Sequence, residues 1–142
     1  MTQHKDEQAI QHIGNTILVV MMDVEPGHEA EFDRWYNEEH LPERMEIPGY
    51  VSARRFKLQT PDKTPDTKEG TGVLQYLCIW ELEDPSPLES GQYEMQRARP
   101  SKIRDEANKY ITQRARGLYT QIYPLEGAYE DHSGSYPEPV AG

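Results

Sequence analysis

The chain has 142 residues, with 25 acidic side chains against 15 Lys and Arg and a formal charge of −10. That length holds one domain with a real core and leaves two cramped. A surface of that sign repels phosphate backbones and anionic lipids, which excludes nucleic-acid and membrane-surface binding as expectations.

Residues 1–14 are polar, carry no apolar period or signal core, and read as a flexible N-terminal arm of a cytoplasmic protein. No stretch is long and apolar enough to cross a bilayer. Residues 15–24 are a continuous β-prone run. They place Ile17, Val19 and Met21 on one face and Leu18, Val20, Met22 and Val24 on the other. Pro26 and Gly27 turn the chain into a first helix at 28–41, with Glu29 and Glu31 at its positive end and Pro42 expected to stop it just after His40. A short turn can resume through Met45 before Ile47, Pro48 and Gly49 break it.

Residues 50–58 alternate as a second strand, with Tyr50, Ser52, Arg54, Phe56 and Leu58 on one side and Val51, Ala53, Arg55 and Lys57 on the other. The 59–71 segment is a polar hairpin loop, and 72–83 is the third strand. Cys78, the single cysteine, sits in that strand as a packed thiol with no second cysteine for a disulfide, metal or redox motif. Residues 84–87 are a break in which Ser86 can cap the next helix. Residues 88–116 read as mostly helical with an interruption near Pro100, Gly117 as the stop, and 118–125 as the fourth strand. The last residues, 126–142, read as a tail.

The order βαββαβ predicts an α+β fold spanning 15–125: a four-stranded antiparallel sheet with two helices on one face. Strands one and three are apolar on both sides, whereas helices cover one. The second face, expected to carry Trp80, Tyr76 or their alternates, then favours a homodimer packed sheet against sheet into a barrel-like core.

The block Glu31-Phe32-Asp33-Arg34-Trp35-Tyr36-Asn37-Glu38-Glu39-His40-Leu41-Pro42, followed by Ile47-Pro48-Gly49-Tyr50, resembles the EthD-like proteins of the dimeric α/β-barrel superfamily. Their pattern is an aromatic, an acid, Trp-Tyr and then His-x-Pro, with Pro-Gly-aromatic opening the next strand. The resemblance implies a ferredoxin-like homodimer with a pocket between sheet and helices. It also implies kinship with cofactor-independent lyases, dehydratases, decarboxylases and isomerases acting on aromatic, polyketide or ring-cleavage compounds. Other members accompany degradation systems without a defined reaction. The 59–71 loop and the tail lie outside the pattern.

Candidate chemistry centres on His40, four residues beyond Tyr36 and eight beyond Phe32, on one helical stripe. Imidazole can take and return a proton near neutrality. A helix C-terminus and the nearby Glu38 and Glu39 push its pKa up, while burial pushes it down. The plainer alternative is that His40 caps the helix. Tyr36 can orient a substrate oxygen or stand as a core aromatic with a wet tip. Asp33 can fix a histidine tautomer or pair, solvated, with Arg34 or Asn37. Trp35, about 100° round the helix, is either a core anchor or a pocket wall. Arg54 and Arg55 point to opposite faces of their strand, so one at most faces a pocket, where a guanidinium suits a carboxylate or phenolate. Tyr119 and Tyr123 can wall an aromatic pocket or pack in the core. The other histidines show no metal-ligand spacing, so no metal and no cofactor is expected.

The functional expectation is a cofactor-independent lyase or isomerase working by His-mediated proton transfer on a small molecule. The alternatives are a non-catalytic small-molecule-binding accessory protein and a cofactor-free monooxygenase.

Overall fold

A computed structural model describes residues 14–59 and 72–124; most of the predicted N-terminal arm and of the 59–71 loop, and all of the C-terminal tail, lie outside them. Strands β1 (Thr16–Val24), β2 (Tyr50–Lys57), β3 (Tyr76–Leu82) and β4 (Ile111–Thr120) form one sheet in the order β2-β3-β1-β4. Every neighbouring pair is antiparallel. The fold is α+β and ferredoxin-like, as predicted.

In the β1–β3 register Leu18 faces Trp80 and Val20 faces Cys78. These side chains look toward the helices and, with Leu82, Phe32, Trp35 and Ile47, make the core. The opposite face carries Ile17, Val19 and Met21 beside Leu77 and Ile79, all half-buried. Trp80 and Tyr76 therefore belong to the helix side, and it is their alternates that line the second face.

The first helix does not end at His40. Helix α1 (Glu29–Trp35) runs into one π turn (Tyr36–His40) and on into α2 (Leu41–Met45). In that turn the Leu41 N–H donates to the carbonyl of Tyr36, five residues back. Pro42 has no N–H to donate, and in a regular helix its ring would press on the carbonyl four residues before it. The wider turn makes room for the ring, so the proline is absorbed and the helix continues.

Three further expectations are corrected. A β-bulge at Val51 shifts the β2 register between Tyr50 and Ser52, so Tyr50 shares the helix-side face with Ala53, Arg55 and Lys57. Helix α3 (Gly91–Ala98) is capped by Ser90, whose hydroxyl accepts from the Tyr93 N–H at 3.2 Å; Ser86 sits in a preceding 3₁₀ turn. Helix α4 (Lys102–Asn108) is capped by Ser101 after the break near Pro100, and it ends well short of Arg116. Residues 111–117 are strand, with Gly117 opposite Val19. Their polar, helix-compatible composition hid this. Pairing along β1 outweighs propensity because β1 would otherwise present a bare edge. Among the described residues no helix is long and apolar enough to cross a membrane.

Candidate active site

Between the helix side of the sheet and the helices lies a cavity of about 330 Å³. The amphipathic stripe of α1 puts Phe32 and Trp35 into the core, and the π turn then sets His40 on the cavity wall. Residues five apart diverge by about 140° on a regular α-helix, at 3.6 residues per turn. The π turn brings them over one another. The His40 ring consequently lies nearly flat on Trp35, centroids 4.5 Å apart at 23°. Tyr36 meets it edge-on at 4.9 Å and Trp80, from β3, at 5.4 Å. Three aromatic rings fix the imidazole, and its open side looks into the cavity.

The rest of the wall is cationic. Arg44 from α2, Arg97 from α3, Arg104 from α4, and Arg114 and Arg116 from β4 all line it. Tyr93 organises three of them. The Arg44 and Arg97 guanidiniums lie 5.0 and 5.6 Å from its ring centre, and Arg116 donates to its hydroxyl at 3.0 Å. Arg114 donates to the Asn108 side-chain oxygen at 3.1 Å, and Arg44 to that of Gln96 at 2.8 Å. Trp80, Leu18, Val20 and Met22 supply an apolar floor.

This setting decides the charge of His40. Burial, followed by the field of Arg44, Arg104, Arg116 and Arg55, pushes its pKa down to about 3, so the imidazole is the free base at neutral pH. The acids next to it in sequence are engaged elsewhere. Glu38 accepts from Arg34, and Glu39 accepts from the Ser101 hydroxyl that caps α4. With the helix running on to Met45, no C-terminal dipole supports a proton on His40 either. Burial also raises Tyr50, on the cavity wall, to about 12.

The residues singled out from sequence divide. His40 and Trp35 line the cavity. Tyr36 touches the imidazole, but its hydroxyl meets the Cys78 thiol in a neighbouring narrow cleft. Burial drives that phenol far above its ordinary range and lifts Cys78 to about 11, so both stay protonated. Asp33 is ion-paired with Arg55 at 2.8 Å, and Arg55 also donates to Asn37 and lies over the Tyr36 ring. That pair closes the cleft, leaving Asp33 away from the His40 ring. Arg54 is on the far face, over Phe56. Tyr119 lies near the end of β4, on its far face, and Tyr123 lies beyond the strand; both are exposed.

The residues missed are Tyr50, Trp80 and Tyr93 and the five arginines. Only Arg114 and Arg116 carried a usable signal. Two residues apart, they share a face once their segment is seen as a strand.

No protein-family model matches this sequence, and no curated protein does. Solved structures do. A dimeric ferredoxin-like protein from an uncultured marine organism superposes with a TM-score of 0.52 at 10% identity, covering 81% of this chain and 94% of its own. A variant of MhuD, crystallised with two manganese protoporphyrin IX bound per active site, gives 0.52 at 11%, covering 79% and 99%. An EthD family protein from Bacillus halodurans gives 0.47 at 15%, covering 75% and 98%. At such identities the shared feature is the fold.

Proposed function

We propose that the protein is an enzyme that moves a proton on a small aromatic or ring-cleavage compound, with His40 as base and then acid: a cofactor-independent lyase or isomerase. The observation carrying this reading is an imidazole packed against three aromatic rings and facing a cavity rimmed with guanidiniums; burial and their field favour its uncharged form at neutral pH.

His40 takes a proton from a carbon beside a carbonyl, and the electron pair left behind moves onto the carbonyl oxygen as an enolate. Arg44, Arg104 and Arg116 are the cations nearest in effect to His40, and they favour that oxyanion. The same arginines repel an imidazolium, so charge gathering on the substrate oxygen relieves the cost of protonating His40. The two changes help each other, and the gain is largest in the transition state. The imidazolium returns its proton to another carbon in an isomerisation, or to a departing hydroxyl in a dehydration.

Incubation with aromatic keto acids and ring-cleavage products in D₂O tests this by the rate of carbon–deuterium exchange. We expect His40→Ala to slow exchange by about 10²–10⁴-fold with the fold intact. Exchange at the wild-type rate in that variant removes the assignment. Product that forms only with O₂ identifies the oxygenase alternative. Binding without turnover has one observation in its favour: among the described residues no carboxylate lines the cavity, so His40 has no carboxylate partner there.

The uncovered apolar sheet face supports a homodimer, with Ile17, Val19, Met21, Leu77 and Ile79 meeting their copies.

A further inference from the structure

The cavity's charge is out of balance with its surroundings. A chain of net charge −10 lines one small space with five arginines and, among the described residues, no acid. Three of the five have a carboxylate at the edge of ion-pair range: Glu43 at 3.7 Å from Arg44, Glu94 at 3.7 Å from Arg97, and Asp105 at 3.9 Å from Arg104. Glu43 is shared with Arg99. Arg114 and Arg116 are held by neutral oxygens, those of Asn108 and Tyr93. Among the described residues an excess of at least two positive charges remains, two of them side by side on β4 about 7 Å apart along the strand.

Arg114 and Arg116 are exposed, and the neutral groups that hold them orient them without neutralising them. Burial already lowers the pKa of Arg44, a mark of the cost of cations there. A partner of opposite charge offsets that cost. The apolar floor of Trp80, Leu18 and Val20 suits a ring or short hydrocarbon body, and 330 Å³ is at the small end of ligand pockets.

We infer that the cavity takes a doubly anionic ligand: a compound of one-ring size carrying two carboxylates, one met by Arg114 and Arg116 on β4 and the other by Arg44, Arg97 and Arg104 on the helices. This rests on the cavity being the substrate site proposed above, and it names the substrate's class.

Calorimetric titration at low salt with benzoate, benzamide and the 1,2-, 1,3- and 1,4-benzenedicarboxylates tests it. At least one dicarboxylate should bind about tenfold or more tighter than benzoate, with benzamide weakest. Arg114→Gln should bring that dicarboxylate to within about threefold of benzoate, and Arg114→Lys should keep part of the difference. Circular dichroism checks that both variants fold. Equal affinity for benzoate and all three dicarboxylates, benzamide as tight as benzoate, or no binding by any dicarboxylate overturns the inference. His40→Gln should retain the preference. Absence of proton exchange in the wild type with the preference intact therefore condemns the chemistry alone, and wild-type exchange on a mono-anion without the preference condemns the dianion alone.

Discussion

At the scale of one residue, protonating His40 means placing a cation among aromatic rings, in a partly dry space, beside Arg44, Arg104 and Arg116. Its pKa falls from an ordinary 6.5 to about 3 on folding. The unfolded chain thus binds this proton more readily than the folded one between those values. The stability contributed by an uncharged His40 is complete above pH 6.5 and drains away as pH falls toward 3. Wild type should therefore lose about 3 kcal/mol more than His40→Phe between pH 7 and pH 4, measured by urea unfolding. Parallel curves for the two proteins would show that the imidazole is not held neutral. A bound dicarboxylate opposes the arginine field, so the NMR titration midpoint of His40 should rise when the preferred ligand is added.

At the scale of the element, the helix bearing His40 is shaped by one wide turn and by the tight reversal at its far end. After α2 the chain reverses through Gly49, whose φ is +98°, and a Cβ there would lie 2.4 Å from the Pro87 ring. Alanine meets an unfavourable backbone and a clash together. Gly49→Ala should cost about 2–4 kcal/mol in urea unfolding. Gly91, at the start of α3, has open space around its Cα and no positive φ. Gly91→Ala should be neutral or stabilising by up to about 1 kcal/mol. Equal effects at the two glycines would contradict the packing of Pro87 on the β2 entry.

The motif around His40 was legible because a Trp-Tyr pair and His-x-Pro are local features. The π turn was not legible. It changes hydrogen-bond register by one residue without altering composition, and that one residue stacks Trp35 on His40. The Val51 bulge hid the face of Tyr50 for the same reason. The β4 boundary was missed because Thr112 to Arg116 carries too few apolar residues to alternate visibly.

At the scale of the whole molecule, one sheet face is covered by helices and the other by nothing among the described residues. Ile79 sits in β3 on that face, between Val19 of β1 and Arg54 of β2. Burying this apolar strip against a second copy is favourable by roughly 25 cal/mol per Å². Sedimentation equilibrium at micromolar concentration should give a dimer, and Ile79→Lys a folded monomer. A monomeric wild type would leave the apolar face without its expected partner.

The order of elements, the double apolarity of the central strands and the motif that carries His40 are one-dimensional properties, and the sequence by itself determined them. Periodicity along the chain dictates which residues share a strand or helix face. The charge state of the imidazole, the pairing of Asp33 with Arg55 and the ring of arginines were decided by tertiary structure alone. Arg44, Arg97, Arg104, Arg114 and Arg116 come from four elements spread over more than seventy residues. Electrostatics acts through space, and only folding sets those distances.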